Sequence, residues 1–293
     1  MSVWFVTGAS RGFGREIVRE VLARGHQVVA TARRPESVVE AFPDAGDALA
    51  LAPLDVVDED QAQAAVEVGL ERFGQVDVLV NNAGRGLLGA VEEASDAEVR
   101  AVFDTNVFGL LAVTRAVLPV MRRQGAGRVF NFSSVGGIAV GQGWGIYGGT
   151  KYAVEGISEA MRQELAPLGV QVTIVEPGVF RTDFLDGSSL HTVAAEIEQY
   201  RETAGRIREF AETTNHRQEG DPVKLARVIA DVAEADHQPV RLQLGADCVA
   251  RVVGRLDDIR AELEQWRAVA ESTALDATTK VVDIDGNRRK QGA

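Results

Sequence analysis

Cysteine is almost missing from the 293-residue chain: Cys248 stands alone, so no intrachain disulfide can form. Histidine is nearly as scarce, and the four present lie far apart without the spacing of metal ligands; no metal site is expected. Positive charge is in deficit, 31 Lys and Arg against 43 Asp and Glu, and a net charge of -12 repels a phosphate backbone. Nucleic acid is thereby excluded as a principal partner, although a local basic pocket stays possible. The start, Met1 to Val6, enters an apolar strand without the basic flank, apolar core and cleavage site of a secretory leader. With a lone cysteine, this predicts a reducing, cytoplasmic setting. No membrane span is expected either. The uncharged stretch Val129 to Thr150 holds seven glycines and the polar Asn131, Ser133, Ser134, Gln142 and Tyr147, which reads as a buried strand followed by a site loop.

What is present is an ordinary globular composition, 45% apolar and 25% charged, arranged in a strong rhythm. β-Rich runs recur at Val3–Val6, Val28–Thr31, Leu49–Leu54, Val78–Val80, Val129–Phe132, Val172–Val175 and Val240–Leu244. Several are apolar without alternation, as strands covered on both faces are, and the segments between them carry helical spacing, as in Ile17, Val18, Val21 and Leu22. The pattern predicts an α/β fold, a doubly wound (Rossmann-type) seven-stranded parallel sheet in a single domain over 1–272. Two regions depart from the rhythm. The charged, helix-like insertion over 180–220, running through Ala194, Ile197, Tyr200, Ile207 and Phe210, leaves the carboxyl end of a strand and is a candidate substrate lid. Residues 273–293 are polar, too poor in apolar content to pack alone, and are expected to be mobile.

After the first strand comes Thr7-Gly8-Ala-Ser10-Arg11-Gly12-Phe13-Gly14, then a helix. Gly8, Gly12 and Gly14 let the chain turn sharply and approach a pyrophosphate, whose charge would sit among free N–H groups at the helix start. A tight turn without a ligand is the plainer alternative, and a Walker loop is excluded because no Gly-Lys-Ser/Thr follows. About twenty residues on, where an NAD site places an acid on the ribose, the second strand ends in Ala32-Arg33-Arg34. Arg33, with Arg11, suits a 2′-phosphate and favours NADP(H), unless both are merely solvated. Asp55 and Val56 could line an adenine, or Asp55 could cap the next helix. Asn82, Ala83 and Gly84, in Asn81-Asn82-Ala83-Gly84, bring a loop of small residues close to a cofactor, and Asn106 sits in an apolar helical stretch where its amide needs partners.

Ser134, Tyr147 thirteen residues later and Lys151 four after that form the central constellation. Tyr and Lys at i and i+4 share a helix face, and a nearby ammonium favours ionisation of a phenol. Ser134 could hydrogen-bond a substrate carbonyl while Tyr147 gives or takes the hydroxyl proton. Ser133 is the competing serine, one residue further from Tyr147. Gly148 and Gly149, following Tyr147, either loosen the helix start or answer to a close-packed neighbour.

Together these motifs resemble the short-chain dehydrogenase/reductase family of the compact type, from Val3 to about Asp247, and look most similar to its 17β-hydroxysteroid and retinol dehydrogenase-like branch. The resemblance implies Tyr147 as acid/base, Ser134 as carbonyl orienter, Lys151 as pKa tuner and ribose ligand, and Asn106 as anchor of a water-mediated proton path. It also implies that Pro177, Gly178, Phe180 and Thr182 hold the nicotinamide end of NADP(H), and that the chain forms a homodimer or homotetramer. Helical faces near 103–121 and 147–165 are the expected subunit contacts. Substrate walls are sought at Arg85, Val135, Val140, Trp144 and Phe184, a mostly apolar set that suits a medium-sized, partly hydrophobic carbonyl compound or its alcohol, with Arg85 a candidate anion anchor. The competing classes are a non-catalytic NADP(H)-binding redox sensor and a serine hydrolase built on Ser188 or Ser189 with His191. The hydrolase fails for want of a nucleophile elbow.

Overall fold

The computed structural model describes residues 1–274, so most of the 273–293 segment lies outside the described residues. In chain order the elements are β1 (Val3–Thr7), α1 (Gly12–Ala23), β2 (Gln27–Ala32), α2 (Glu36–Val39), β3 (Leu49–Pro53), α3 (Glu59–Phe73), β4 (Val78–Asn81), β5 (Gly86–Leu88), α4 (Asp96–Phe103), α5 (Gly109–Gln124), β6 (Gly127–Phe132), α6 (Gly145–Leu165), β7 (Val170–Pro177), β8 (Leu190–Thr192), α7 (Arg206–Thr214), α8 (Pro222–Glu234), β9 (Arg241–Leu244) and α9 (Ala246–Glu271). Seven strands form one parallel sheet in the order β3-β2-β1-β4-β6-β7-β9. The seven β-rich runs of the sequence are these seven strands, within a few residues at each end.

β1 shows why its run is apolar without alternation. Val3 and Phe5 enter a core shared with residues of α3, α5 and α6, while Trp4 and Val6 enter the core on the other face with residues of α1 and α8. Burial on both faces removes any need for a polar side. The chain order reverses between β1 and β4, and the loops at the carboxyl ends of these strands open the crevice in which such folds place ligands.

By contacts the chain divides at Val252: Met1–Val252 is one unit, and the second begins at Val253 inside α9. The 180–220 insertion is less helical than its composition suggests. It holds short helical turns over Asp183–Leu185 and Glu198–Tyr200, a π-turn over Arg201–Gly205, and α7. Its Leu190–Thr192 is a strand, β8, paired in parallel with β5; Ser188, Ser189 and His191 therefore do not share a helix. Among the described residues, one helical stretch, Asp96–Gln124, is long and apolar enough to cross a membrane, and half of its most apolar window is buried inside the fold. Val129–Thr150 is instead β6, a loop and the start of α6.

Candidate active site

The glycine loop is fixed from below by the turn after β4. Asn82 Nδ2 donates to the carbonyls of Thr7 (2.9 Å) and Gly8 (3.2 Å), and the Thr7 hydroxyl accepts from the N–H groups of Asn82 (3.0 Å) and Ala83 (2.9 Å). Gly8 has φ +66°, which favours glycine, and a Cβ on Gly14 would lie 2.3 Å from the Gly8 carbonyl oxygen. One level deeper, Asn81 Nδ2 donates to Asn131 Oδ1 and Thr114 Oγ1, both at 2.9 Å, and Asn131 donates to Ser158. Side-chain amides thus tie β4 and β6 to α5 and α6 beneath the site.

Above this floor lies a cavity of about 960 Å³. Gly8, Ser10, Arg11, Gly12, Phe13, Arg33, Asp55, Val56, Asn82, Ala83, Gly84, Ser134, Tyr147, Lys151, Pro177, Gly178, Phe180 and Thr182 all line it, as do Arg85, Val135, Trp144 and Phe184. Gly14, packed behind the loop, does not. Val140 does not either: its side chain fills the space beside Gly148, where a Cβ would sit 2.1 Å from Val140 Cγ2. That contact accounts for Gly148, whereas a Cβ on Gly149 would meet only Phe103, at 3.8 Å.

Asn106 sits on a π-turn over Asp104–Phe108 and is 2% exposed. Its Oδ1 accepts from Arg85 N–H (2.8 Å), and its Nδ2 donates to the Arg85 carbonyl (2.9 Å) and to Thr150 Oγ1 (3.0 Å). Both amide hydrogens are engaged with the protein, and Asn106 is not part of the cavity wall. Its side chain clamps the loop carrying Arg85 to the helix carrying Tyr147.

Tyr147 and Ser134 converge next to Gly136, whose added Cβ would lie 3.6 Å from Ser134 Oγ and 3.8 Å from Tyr147 Cε1. Ser134, not Ser133, is therefore the partner of Tyr147. Ser133 packs instead with Glu155 against Gly137. Trp144 and Phe184 close on the same phenol, their ring centroids each 5.6 Å from that of Tyr147. Burial pushes the Tyr147 phenol up to about 12, with the Ser134 hydroxyl acting in the opposite direction. Lys151 Nζ lies 5.6 Å from the centre of the tyrosine ring and donates to the Phe132 carbonyl at 2.8 Å. Burial pulls its ammonium down to about 8, against the charge of Glu155. The expected depression of the phenol by Lys151 is not among the causes of the shift, whose upward direction is set by burial.

The first turn of α1 has no side-chain cap, which leaves its N–H groups available to an anion, and Arg33, Arg34 and Ser37 line the wall beyond β2. Asp55 is not the cap of α3; Asp58 is, accepting from Asp60 and Gln61 N–H. Arg11 has a second duty that the sequence did not signal: its Nη2 donates to the Ser188 carbonyl of the insertion at 2.7 Å. Sequence reasoning also missed Gln218, buried and lining the cavity, since an isolated glutamine in a charged insertion carries no motif. The scattered histidines concealed one spatial cluster. Ligand atoms of Asp183, Asp186 and His216 lie within 4.8 Å of one another, with His216 Nε2 and Asn215 Nδ2 both on Asp186 Oδ1.

A dinucleotide fits these residues: an uncapped helix start behind a glycine loop, arginines beyond β2 and a buried phenol share one cavity. The comparisons with known proteins agree. The family model for short chain dehydrogenases matches residues 2–192. Oxidoreductase BOA17 of Botryotinia fuckeliana is 36% identical over 93% of this chain and 99% of its own. A short-chain dehydrogenase from Streptomyces avermitilis has 42% identity and a TM-score of 0.85 over 94% of this chain and 100% of its own. A Burkholderia phymatum short-chain dehydrogenase/reductase in complex with NAD is 25% identical, with a TM-score of 0.78 over 89% of this chain and 95% of its own. A serine dehydrogenase complexed with NADP+ is 30% identical, with a TM-score of 0.69 over 83% and 94%. Solved relatives thus carry either nicotinamide dinucleotide, and this chain is an oxidoreductase that belongs to the short-chain dehydrogenase/reductase family.

Proposed function

We propose that the protein interconverts a ketone or aldehyde and the corresponding alcohol using NADP(H). The observation that carries this reading is the buried Tyr147 phenol beside Ser134, in the same cavity as an uncapped helix start. In the reducing direction the Ser134 hydroxyl donates a hydrogen bond to the substrate carbonyl, and Tyr147 delivers its proton to that oxygen as the alcohol forms. The bound nicotinamide supplies the hydride. Lys151, whose Nζ lies 5.6 Å from the centre of the Tyr147 ring, would hold the ribose and stabilise the phenolate left behind. The N–H groups around Gly12 and Phe13, with Ser10, would take the pyrophosphate, Asp55 and Val56 the adenine, Asn82 to Gly84 the adjoining ribose, and Pro177 to Thr182 the nicotinamide amide.

Arg33 and Arg34 beyond β2, with no acid at that strand end, support the 2′-phosphorylated cofactor. Exposed Phe108 and Tyr152 support subunit contacts on the faces near 103–121 and 147–165, in a cytoplasmic homodimer or homotetramer. The test is consumption of NADPH against NADH over aryl ketones, β-keto esters, steroid ketones and aldehydes. NADPH should be preferred, and Arg33→Asp should shift the ratio toward NADH by tenfold or so, about 1.4 kcal/mol. An unchanged ratio would remove Arg33 from cofactor selection.

A further inference from the structure

Gln218 is 2% exposed and lines the cavity, yet neither its Nε2 nor its Oε1 has a partner among the described residues. It is the one buried amide there with both atoms unpartnered. Burying an amide in this way costs stability unless something satisfies it. The backbone that carries this side chain is itself held in place. Arg181 Nε donates to the Gln218 carbonyl at 3.1 Å, and main-chain bonds between Arg181 N–H and Gly220 (2.9 Å) and between Gly220 N–H and Val179 (3.2 Å) clamp the segment to the strand end after β7. The same roof contributes apolar Leu185 and Ala211 to the cavity.

We infer that Gln218 is a specificity determinant, binding a second polar group of the substrate, uncharged and distinct from the reacting carbonyl. The inference rests on the oxidoreductase reading above and narrows its substrate class. An amide offers one donor and one acceptor side with no net charge, which matches a hydroxyl, whereas a carboxylate would be drawn to Arg85 of the same cavity instead. The body of such a molecule would meet the Trp144 and Phe184 rings near Tyr147. The substrate class is a hydroxylated aryl or cyclic ketone.

The test uses the full chain with NADP+, where ketones bind without turning over. Calorimetry compares 1-tetralone with its 5-, 6- and 7-hydroxy derivatives. At least one hydroxyl position should bind about tenfold or more tightly than 1-tetralone, because a site built to hydrogen-bond rejects the analogue lacking the group. Gln218→Met, of similar size, should abolish that preference while leaving the affinities for 1-tetralone and NADP+ unchanged. Gln218→Glu, which retains an acceptor, should keep most of it and covers the case in which Gln218→Met does not fold. The inference is overturned if no tetralone binds, if no hydroxyl position is preferred, if the preference survives in Gln218→Met, or if that variant loses NADP+ affinity instead. A hydroxyl preference without turnover of any ketone would count against the reaction and in favour of Gln218.

Discussion

The floor of the cavity and the insertion above it are held by different chemistry. Below, Asn81, Asn82, Asn106 and Asn131 bind backbone and one another through neutral amides, within strands and helices buried on both sides. Above, the insertion hangs from carboxylates that follow β5: Ile197 N–H donates to Glu93 (2.9 Å), Ala194 N–H to Glu98 (3.0 Å) and the Tyr200 hydroxyl to Glu92 (2.6 Å), while Arg208 pairs with Glu93. Neutral amides have no charge to titrate, whereas the carboxylate anchors Glu93 and Glu98 are held ionised to well below neutral pH.

The strongest way to break this division is at the floor. Tyr147→Phe removes the proton donor without disturbing the packed ring, and kcat should fall on the order of 10³-fold, the scale of general-acid catalysis, with cofactor affinity nearly unchanged by titration. Retention of most activity would mean that the proton comes from elsewhere, His191 of the insertion being the lining group next to test.

The floor was legible in the sequence because its demands are local. A strand buried on both faces must be continuously apolar, a loop that meets a helix start needs glycine, and two groups on one helix face must be four apart. Seven strands and the Ser134, Tyr147 and Lys151 set followed from such rules. The insertion follows rules of another kind. β8 exists because Leu190–Thr192 meets β5, about a hundred residues earlier in the chain, and no feature of Leu-His-Thr declares it. Gln218 reaches the cavity through the clamp on Arg181, and Arg11 turns to Ser188. The direction of the Tyr147 shift was equally hidden, since burial of the phenol depends on how Trp144 and Phe184 close over it.

The next largest effect belongs to the insertion. The Glu93 side chain is fully buried, and although burial raises its pKa, the N–H groups of Ile197 and Ala90 and the Arg208 guanidinium hold it below the usual carboxylate value. Arg208→Met leaves that charge without its counter-ion, a change that costs about 3–5 kcal/mol in buried pairs. Amide hydrogen exchange should quicken over 190–214 and stay slow in β1, β4 and β6. Equal loosening of both regions would show that they unfold as one unit and would dissolve the comparison.

pH sharpens the contrast without mutation. Glu98 is held down to about 2 by the hydroxyl and N–H of Ser95, against burial and with help from Ala194 N–H. Its folded-state pKa is depressed, so its contribution is complete above the ordinary value of 4.5 and is lost as pH falls through about 2. Glu155 under the floor behaves oppositely. Burial raises it to about 7, so the cost of its charge is relieved as pH falls from there toward 4.5. Exchange protection, corrected for intrinsic rates, should therefore rise in β6 and α6 between pH 7 and 4.5 and decline in 190–197 below that. A parallel response of the two regions would contradict the separate anchoring.

The smallest effect tests whether the floor is close-packed where the catalytic helix begins. Gly148 and Gly149 follow Tyr147 alike in sequence, yet their surroundings differ. A Cβ at Gly148 would overlap Val140 Cγ2 at 2.1 Å and lie 3.2 Å from the Gly136 carbonyl oxygen; one at Gly149 would touch Phe103 at an ordinary 3.8 Å. Gly149→Ala should then raise stability by about 1 kcal/mol through helix propensity, with kcat unchanged. Gly148→Ala forces Val140 or the Ser134–Gly137 turn to move, which should lower stability and displace the turn that carries Ser134. If thermal melts showed the two substitutions to be equivalent, packing against Val140 would not be what reserves position 148 for glycine, and the helix start would be looser than the floor around it.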